Sequence, residues 1–252
     1  MHQTFKLSQM EIETLKKFSK INDKLYIEPD RITVINGGRI GAVDVPTSKL
    51  AGVELKNKHS FERKIGINSV TEFLKIIDMM SDNVEIQLFD KYIRVVDVNK
   101  KIKVEMNLTD SFKNIIPEID ILTKLQNSLK KEPCTRFVLD WNTIESIFKA
   151  QVAIYSASKK SYLFFHSEDD KTINLKIGST FSKSIETSAS FEFKTNIKSN
   201  DLEVLRDGYV RIDMSKDILV KDTYEITILD KAVVFKSMTD NIIYLILSSM
   251  EI

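Results

Sequence analysis

The sequence predicts an α+β protein made of two similar βαββββαβββ halves, with helices on one face of antiparallel sheets. Three observations lead there. The phrase VEIQLFDK at 84–91 is written again as YEITILDK at 224–231, an offset of 140 residues that keeps Glu, Ile, Asp and Lys in place. Without gaps the match runs on, laying VEIQLFDKYIRVVDVNKKIKVEMNL over YEITILDKAVVFKSMTDNIIYLILS. Helix signals and runs of β-branched and aromatic residues then recur in the same order in each half.

The first half opens on FKLS and a capping box. Ser8 and Glu11 stand three apart, so each side chain can satisfy the other's free amide. Ile12, Leu15 and Phe18 follow at helical spacing through IETLKKFSKIN. KLYIEP, RITVING and GAVDVP read as strands, and Gly37-Gly38 as a turn between two of them. FERKIGI is the fourth strand. The stretch NSVTEFLKIIDMMSD carries a second capping box, Ser69 and Glu72, and a stripe of Val70, Phe73, Ile76, Ile77 and Met80. The meander from 84 completes the half.

In the second half, FVLD ends a strand and either Asp140 or Asn142 caps a helix whose stripe is Ile144, Ile147, Phe148, Gln151 and Tyr155. SYLFFHS, KTINLKIG, ASFEFKT and YVRIDM are its strands. MSKDILVKD offers one short helical turn before the repeated meander. Between the halves, the stretch 109–133 holds Pro117 and Pro133 and ends in a charged run. The expected domains are therefore 1–110 and 133–252, with 111–132 as a connector.

Composition narrows the function classes. The chain has 252 residues, 42% of them apolar and 29% charged, and its 37 basic and 36 acidic side chains leave a net charge of +1. This is the profile of an ordinary soluble protein rather than one coated in nucleic acid, with room for local basic patches. No apolar run approaches the roughly 20 residues that span a bilayer, and the polar start does not read as a signal peptide, so a cytoplasmic location and no membrane partner are expected. The one cysteine, Cys134, excludes an internal disulfide framework and has no evident His partner; close packing is its expected role. His2, His59 and His166 show no metal spacing, and no GxxxxGK phosphate loop occurs. Asp169-Asp170 reads as a solvated turn, and Trp141 as core packing. Neither catalysis nor a cofactor is expected.

Two such halves joined by a long connector in about 250 residues resemble the subunits of DNA sliding clamps, the ring-forming polymerase processivity factors related to proliferating cell nuclear antigen. FKLS with ETLKKFSKIN, FERKIGINSVTEFLKIID and RIDMSKDILVKDTYEI look most similar to clamps of tailed phages. The resemblance implies a homotrimer of six similar domains, sheets outside and helices lining a hole for double-stranded DNA. It also implies a DNA polymerase and an ATP-dependent clamp loader as partners, in replication that is viral and placed in the host cytoplasm.

Residues can be matched to those roles. Lys16, Lys17 and Lys20 share one face of the first helix, opposite Leu15 and Phe18, where they would meet phosphates without reading bases. Lys75, Lys149, Lys216 and Lys221 are the other candidates. The second helix fits poorly, because Lys75 stands against Thr71, Asp78 and Asp82. For ring closure, the resemblance points to KIKVEMNL (Lys101, Ile102, Lys103, Val104) pairing with SASFEFK (Ser190, Phe191, Glu192, Phe193) of a neighbour, with the lysines near Glu186 and Glu192. For a docked peptide tail it points to Ile115, Ile116, Pro117 and Ile119 beside Met250 and Ile252. The alternatives are a monomeric processivity factor that grips DNA electrostatically, and a structural β-rich virion protein.

Overall fold

The computed structural model describes residues 2–28, 31–36, 39–43, 60–81, 83–109, 135–158, 161–169, 171–179, 189–194, 205, 208–213, 218–229, 232–240, 242–247 and 249–251. The chain divides into two compact units, Met1–Lys124 and Leu125–Ile252; the expected connector, 111–132, lies outside the described residues.

The first unit runs β1 (Gln3–Phe5), α1 (Gln9–Phe18), β2 (Leu25–Glu28), β3 (Arg31–Asn36), β4 (Arg39–Val43), β5 (Ile65–Ile67), α2 (Val70–Met79), β6 (Val84–Leu88), β7 (Tyr92–Asp97) and β8 (Ile102–Asn107). Its strands form two antiparallel runs, β1-β6-β7-β8 and β5-β2-β3-β4. The second unit runs β9 (Thr135–Leu139), α3 (Trp141–Ser158), β10 (Tyr162–His166), β11 (Thr172–Gly178), β12 (Ala189–Lys194), β13 (Tyr209–Ile212), β14 (Tyr224–Leu229), β15 (Ala232–Ser237), β16 (Ile242–Leu247) and β17 (Ser249–Glu251). Here the runs are β9-β14-β15-β16 and β12-β11-β10-β13-β17.

The repeat predicted from the doubled phrase is present in the register. Phe5 lies opposite Ile86, and Phe137 lies opposite Ile226, so the meanders match at an offset of 140 and the strands before them at 132. Ser8 caps α1, and Asp140, again 132 residues on, caps α3 through its side chain to the Thr143 amide at 2.8 Å. Of the two candidate caps for that helix, the structure uses Asp140.

Each cap is built from nearby sequence. The Ser8–Glu11 box is complete, and Glu11 is buried because it also accepts from the Ser60 amide at 2.6 Å and the Ser60 hydroxyl at 3.1 Å. The Ser69 cap differs from its expected form. Glu72 donates its amide to Ser69 Oγ without the return bond of a capping box; Asp23 braces the cap differently, accepting from Ser69 Oγ at 2.8 Å and the Thr71 amide at 2.7 Å. Burial raises the pKa of the Asp23 carboxyl, but these bonds outweigh it and hold the group below the ordinary carboxylate value.

Packing corrects two predicted stripes. On α2 the buried residues are Val70, Phe73 and Leu74, while Ile76 and Ile77 are half-buried. On α3, Ile144, Ile147 and Phe148 are buried, Gln151 is half-buried and Tyr155 is 57% exposed, so the apolar spacing outlasts the packed part of the helix. Trp141 is half-buried. Sequence gives no signal for strand β17; of the predicted helical turn at 214–222, residues 214–217 lie outside the described residues, and Ile218, Leu219 and Val220 are buried.

Candidate functional site

Three of the predicted lysines gather at the end of α1. Lys16 and Lys17 sit in its last turn, where they complement the negative end of the helix dipole, and Lys20 follows. Lys16 and Lys20 are exposed, and Lys17 is half-buried. Lys16 Nζ reaches Asp78 Oδ1 on α2 at 3.2 Å, so α1 and α2 pack side by side with Lys16 tying them together. Its charge is partly neutralised there. Lys75 on α2 is exposed. Among the described residues Lys17, Lys20 and Lys75 enter no ion pair, whereas Glu13, Glu72 and Asp78 supply acidic charge on the same two helices.

In the second unit, Lys149 is exposed and pairs with Glu145 one turn back at 3.3 Å. The outward surface of α3 continues into Val152, 65% exposed, and Tyr155, which is not a basic face. Lys221 is exposed in the turn before β14, and Lys216 lies outside the described residues. The sequence missed Asp78 as the partner of Lys16. The two stand 62 positions apart, and only the packing of α1 on α2 brings them together.

The two predicted pairing strands are both sheet ends. Strand β8 terminates its run after β7, and β12 terminates its run after β11; among the described residues neither has a second neighbour. On β8, Ile102, Lys103 and Glu105 are exposed and Val104 is half-buried; Lys101 precedes it with φ 57°. On β12, Ser190 and Glu192 are exposed and Phe191 is half-buried, while Phe193 pairs through its backbone with Ile173. The β7–β8 turn is held by Asp97, whose side chain is wholly buried. It accepts from the Ser81 amide at 2.7 Å, the Ser81 hydroxyl at 2.8 Å, the Asn99 amide at 3.0 Å and the Lys100 amide at 2.9 Å. Burial pushes its pKa up, and these donors more than offset that, bringing it to about 2.

Of the predicted peptide-pocket residues, Ile115, Ile116, Pro117, Ile119 and Ile252 lie outside the described residues. Met250 is in β17, paired with Val210. Among the described residues no group of His, Cys, Asp and Glu is arranged to hold a metal ion, and no helix is long and apolar enough to cross a membrane.

No protein-family model matches the chain, and no curated protein matches it. Solved structures do. Caulobacter crescentus pol III beta aligns with TM-score 0.61 at 10% identity, over 98% of this chain and 65% of that one. DNA polymerase III subunit beta from Borrelia burgdorferi aligns with TM-score 0.59 at 13% identity, over 98% and 62%. The DNA polymerase sliding clamp of Pseudomonas aeruginosa aligns with TM-score 0.57 at 10% identity, over 98% and 66%. This chain has the sliding-clamp fold. It spans somewhat under two thirds of the length of these bacterial clamps. At such identities the likeness lies in the backbone, where the expected α+β layout of the clamp fold is found over nearly the whole chain.

Proposed function

We propose that this chain is a non-enzymatic DNA sliding clamp that encircles double-stranded DNA and tethers a DNA polymerase as its processivity factor. The observation that carries the reading is the clamp fold over 98% of the chain. Two end strands support it, because β8 and β12 leave backbone donors and acceptors without a neighbour among the described residues, and closing a ring is one way to pair such edges. Three chains of two units each give the expected homotrimer. An ATP-dependent loader, a viral setting and the host cytoplasm complete the proposal; the phage-like stretches of sequence support the viral part.

The charge distribution favours topological retention over electrostatic grip. Lys16 and Lys149 are paired with carboxylates, and Lys17, Lys20 and Lys75, which enter no ion pair among the described residues, are offset by Glu13, Glu72 and Asp78 on the same two helices. A monomer held only by phosphate contacts needs a denser basic face. Each phosphate contact contributes about −0.9 to the slope of log affinity against log salt, so the proposed clamp has a shallow salt dependence.

Light scattering tests the reading. A mass near three times 29.0 kDa is expected, and a monomer at every concentration would remove the ring. Changing Lys17, Lys20 and Lys75 together to Glu is expected to abolish polymerase stimulation on primed circular DNA with the fold intact by circular dichroism. Unaltered stimulation would show that this face does not look at DNA.

A further inference from the structure

The Asp97 cluster does more than close a turn. Its carboxylate joins two segments: the chain just past the end of α2, through Ser81, and the β7–β8 hairpin, through the amides of Asn99 and Lys100. A further backbone bond, from the Val98 amide to the Asn83 carbonyl at 3.3 Å, runs beside it. The hairpin then passes through Lys101 at φ 57°, a left-handed conformation that disfavours a residue bearing a Cβ. Such a backbone persists where surrounding bonds over-determine it, and four hydrogen bonds to one buried carboxylate do so here. The next residue is Ile102, the first of β8 and the register partner of Asp97 itself.

What this cluster holds in place is an edge. Beyond β8 there is no further strand among the described residues, and although Val96 beside Asp97 is buried, three apolar side chains close by in the chain face solvent: Met79 at 74%, Val98 and Ile102 each at 44% exposed. At the matching place in the second unit, Ile242 is buried. The occupant that fits the edge is a second copy of this chain. Its β12 is likewise a terminal strand, and exposed Glu192 there complements exposed Lys101 and Lys103 here.

We infer that Asp97 is a positioning residue for assembly: it fixes the start and twist of β8 so that this edge can accept a strand from a second copy. The inference rests on the ring reading above. The second unit contains its own control. There Asp222, in the turn before β14, accepts from the Ser237 hydroxyl and from the amides of Thr223 and Thr239, so a carboxylate of similar role holds a hairpin whose following strand is buried.

The test compares Asp97→Asn with Asp222→Asn in the full chain, following mass against dilution by light scattering and unfolding by thermal melt. Amide exchange at Asn99, Lys100 and β8 is read in parallel. Asp97→Asn is expected to move the dissociation midpoint at least tenfold towards higher protein concentration and to speed exchange along β8. Asp222→Asn is expected to lower the melting temperature comparably while leaving the midpoint within twofold of wild type. If Asp97→Asn does not fold, Ser81→Ala removes one donor and is expected to shift the midpoint about threefold in the same direction. Equal shifts from the Asp97 and Asp222 variants would reduce the effect to general stability and overturn the inference. So would faster exchange along β8 with an unmoved midpoint, and in either case the ring reading would survive. A wild type that is monomeric throughout would overturn both together.

Discussion

Strands β8 and β16 hold the same place in the two units, and their side chains have little in common. Read across the offset of 140, Ile102-Lys103-Val104-Glu105-Met106-Asn107 lies over Ile242-Ile243-Tyr244-Leu245-Ile246-Leu247. The first has no buried residue; the second is buried from Ile242 to Ile246. Both are last in a meander of the same register within their units. The residues follow the burial: alternating polar positions suit a strand with one face in water, and an unbroken apolar run suits a strand covered on both faces. The two copies of the meander part company at their last strand.

The largest effect should come from writing one strand into the other. Leu245→Glu places an unpaired carboxylate where Leu245 is 1% exposed, and is expected to cost about 4 kcal/mol or more, seen as insoluble protein or a large fall in melting temperature. If that variant melts like wild type, β16 is not the covered strand described here.

Next in size is the loss of Glu11. Glu11→Ala removes the reciprocal half of the α1 cap and the tether to Ser60, and is expected to cost about 1–2 kcal/mol in urea unfolding. Asp140→Ala removes a cap with one side-chain bond and should cost about 1 kcal/mol or less. The reverse order would mean that the longer α3 depends more on its start than the short α1 does.

Acid should act on both units alike. Asp97 and Asp222 are each held below the usual carboxylate pKa: burial raises both, but hydrogen bonds outweigh it, those from Lys100, Ser81 and Asn99 on Asp97 and those from Ser237, Thr239 and Thr223 on Asp222. A carboxyl whose folded pKa is depressed contributes stability that is complete above its unfolded value, near 4, and lost as pH falls through the folded value. For Asp97 that window runs from about pH 4 to about 2. Thermal melts from pH 5 to pH 2 should therefore fall less steeply for Asp97→Asn than for wild type. Parallel curves would mean that Asp97 is not the titrating group.

The smallest effect is the mirror of the first. Glu105→Leu, at the place in β8 that matches Leu245, removes the partner of Arg94, whose Nη2 and Nε lie 2.6 and 2.8 Å from Glu105 Oε1. Both side chains are at least partly exposed, and a change within about 1 kcal/mol is expected. A loss as large as that of Leu245→Glu would erase the contrast between the two strands.

Most of the fold was legible because alternation and helical spacing are local signals. The repeated meander, the Ser8 cap and the strands on either side of it needed only a few residues of context. The cluster around Asp97 was hidden for a definite reason. In the first unit the carboxylate ends β7 and the hydroxyl, Ser81, precedes β6; in the second the hydroxyl, Ser237, ends β15 and the carboxylate, Asp222, precedes β14. Aligning the copies sets Asp97 over Ser237 and shows a mismatch, although the interaction is retained with its partners exchanged. The end of α3 misled in the opposite way, since Tyr155 keeps the spacing of a buried stripe after the packed face has ended. Sequence sets Asp78 on the polar face of α2 against Lys75, and only the packing of α1 on α2 makes it the counterion of Lys16. Strand β17 escaped because three residues are too short for a periodic signal.

Helix α3 has 18 residues and α1 has 10. At about 1.5 Å per residue the longer rod overhangs its counterpart by roughly 12 Å, and Val152 and Tyr155 lie on that added length. Two copies of one frame thus carry helices of unequal reach, and the roughly two extra turns of α3 are a surface that the first unit has no means to present.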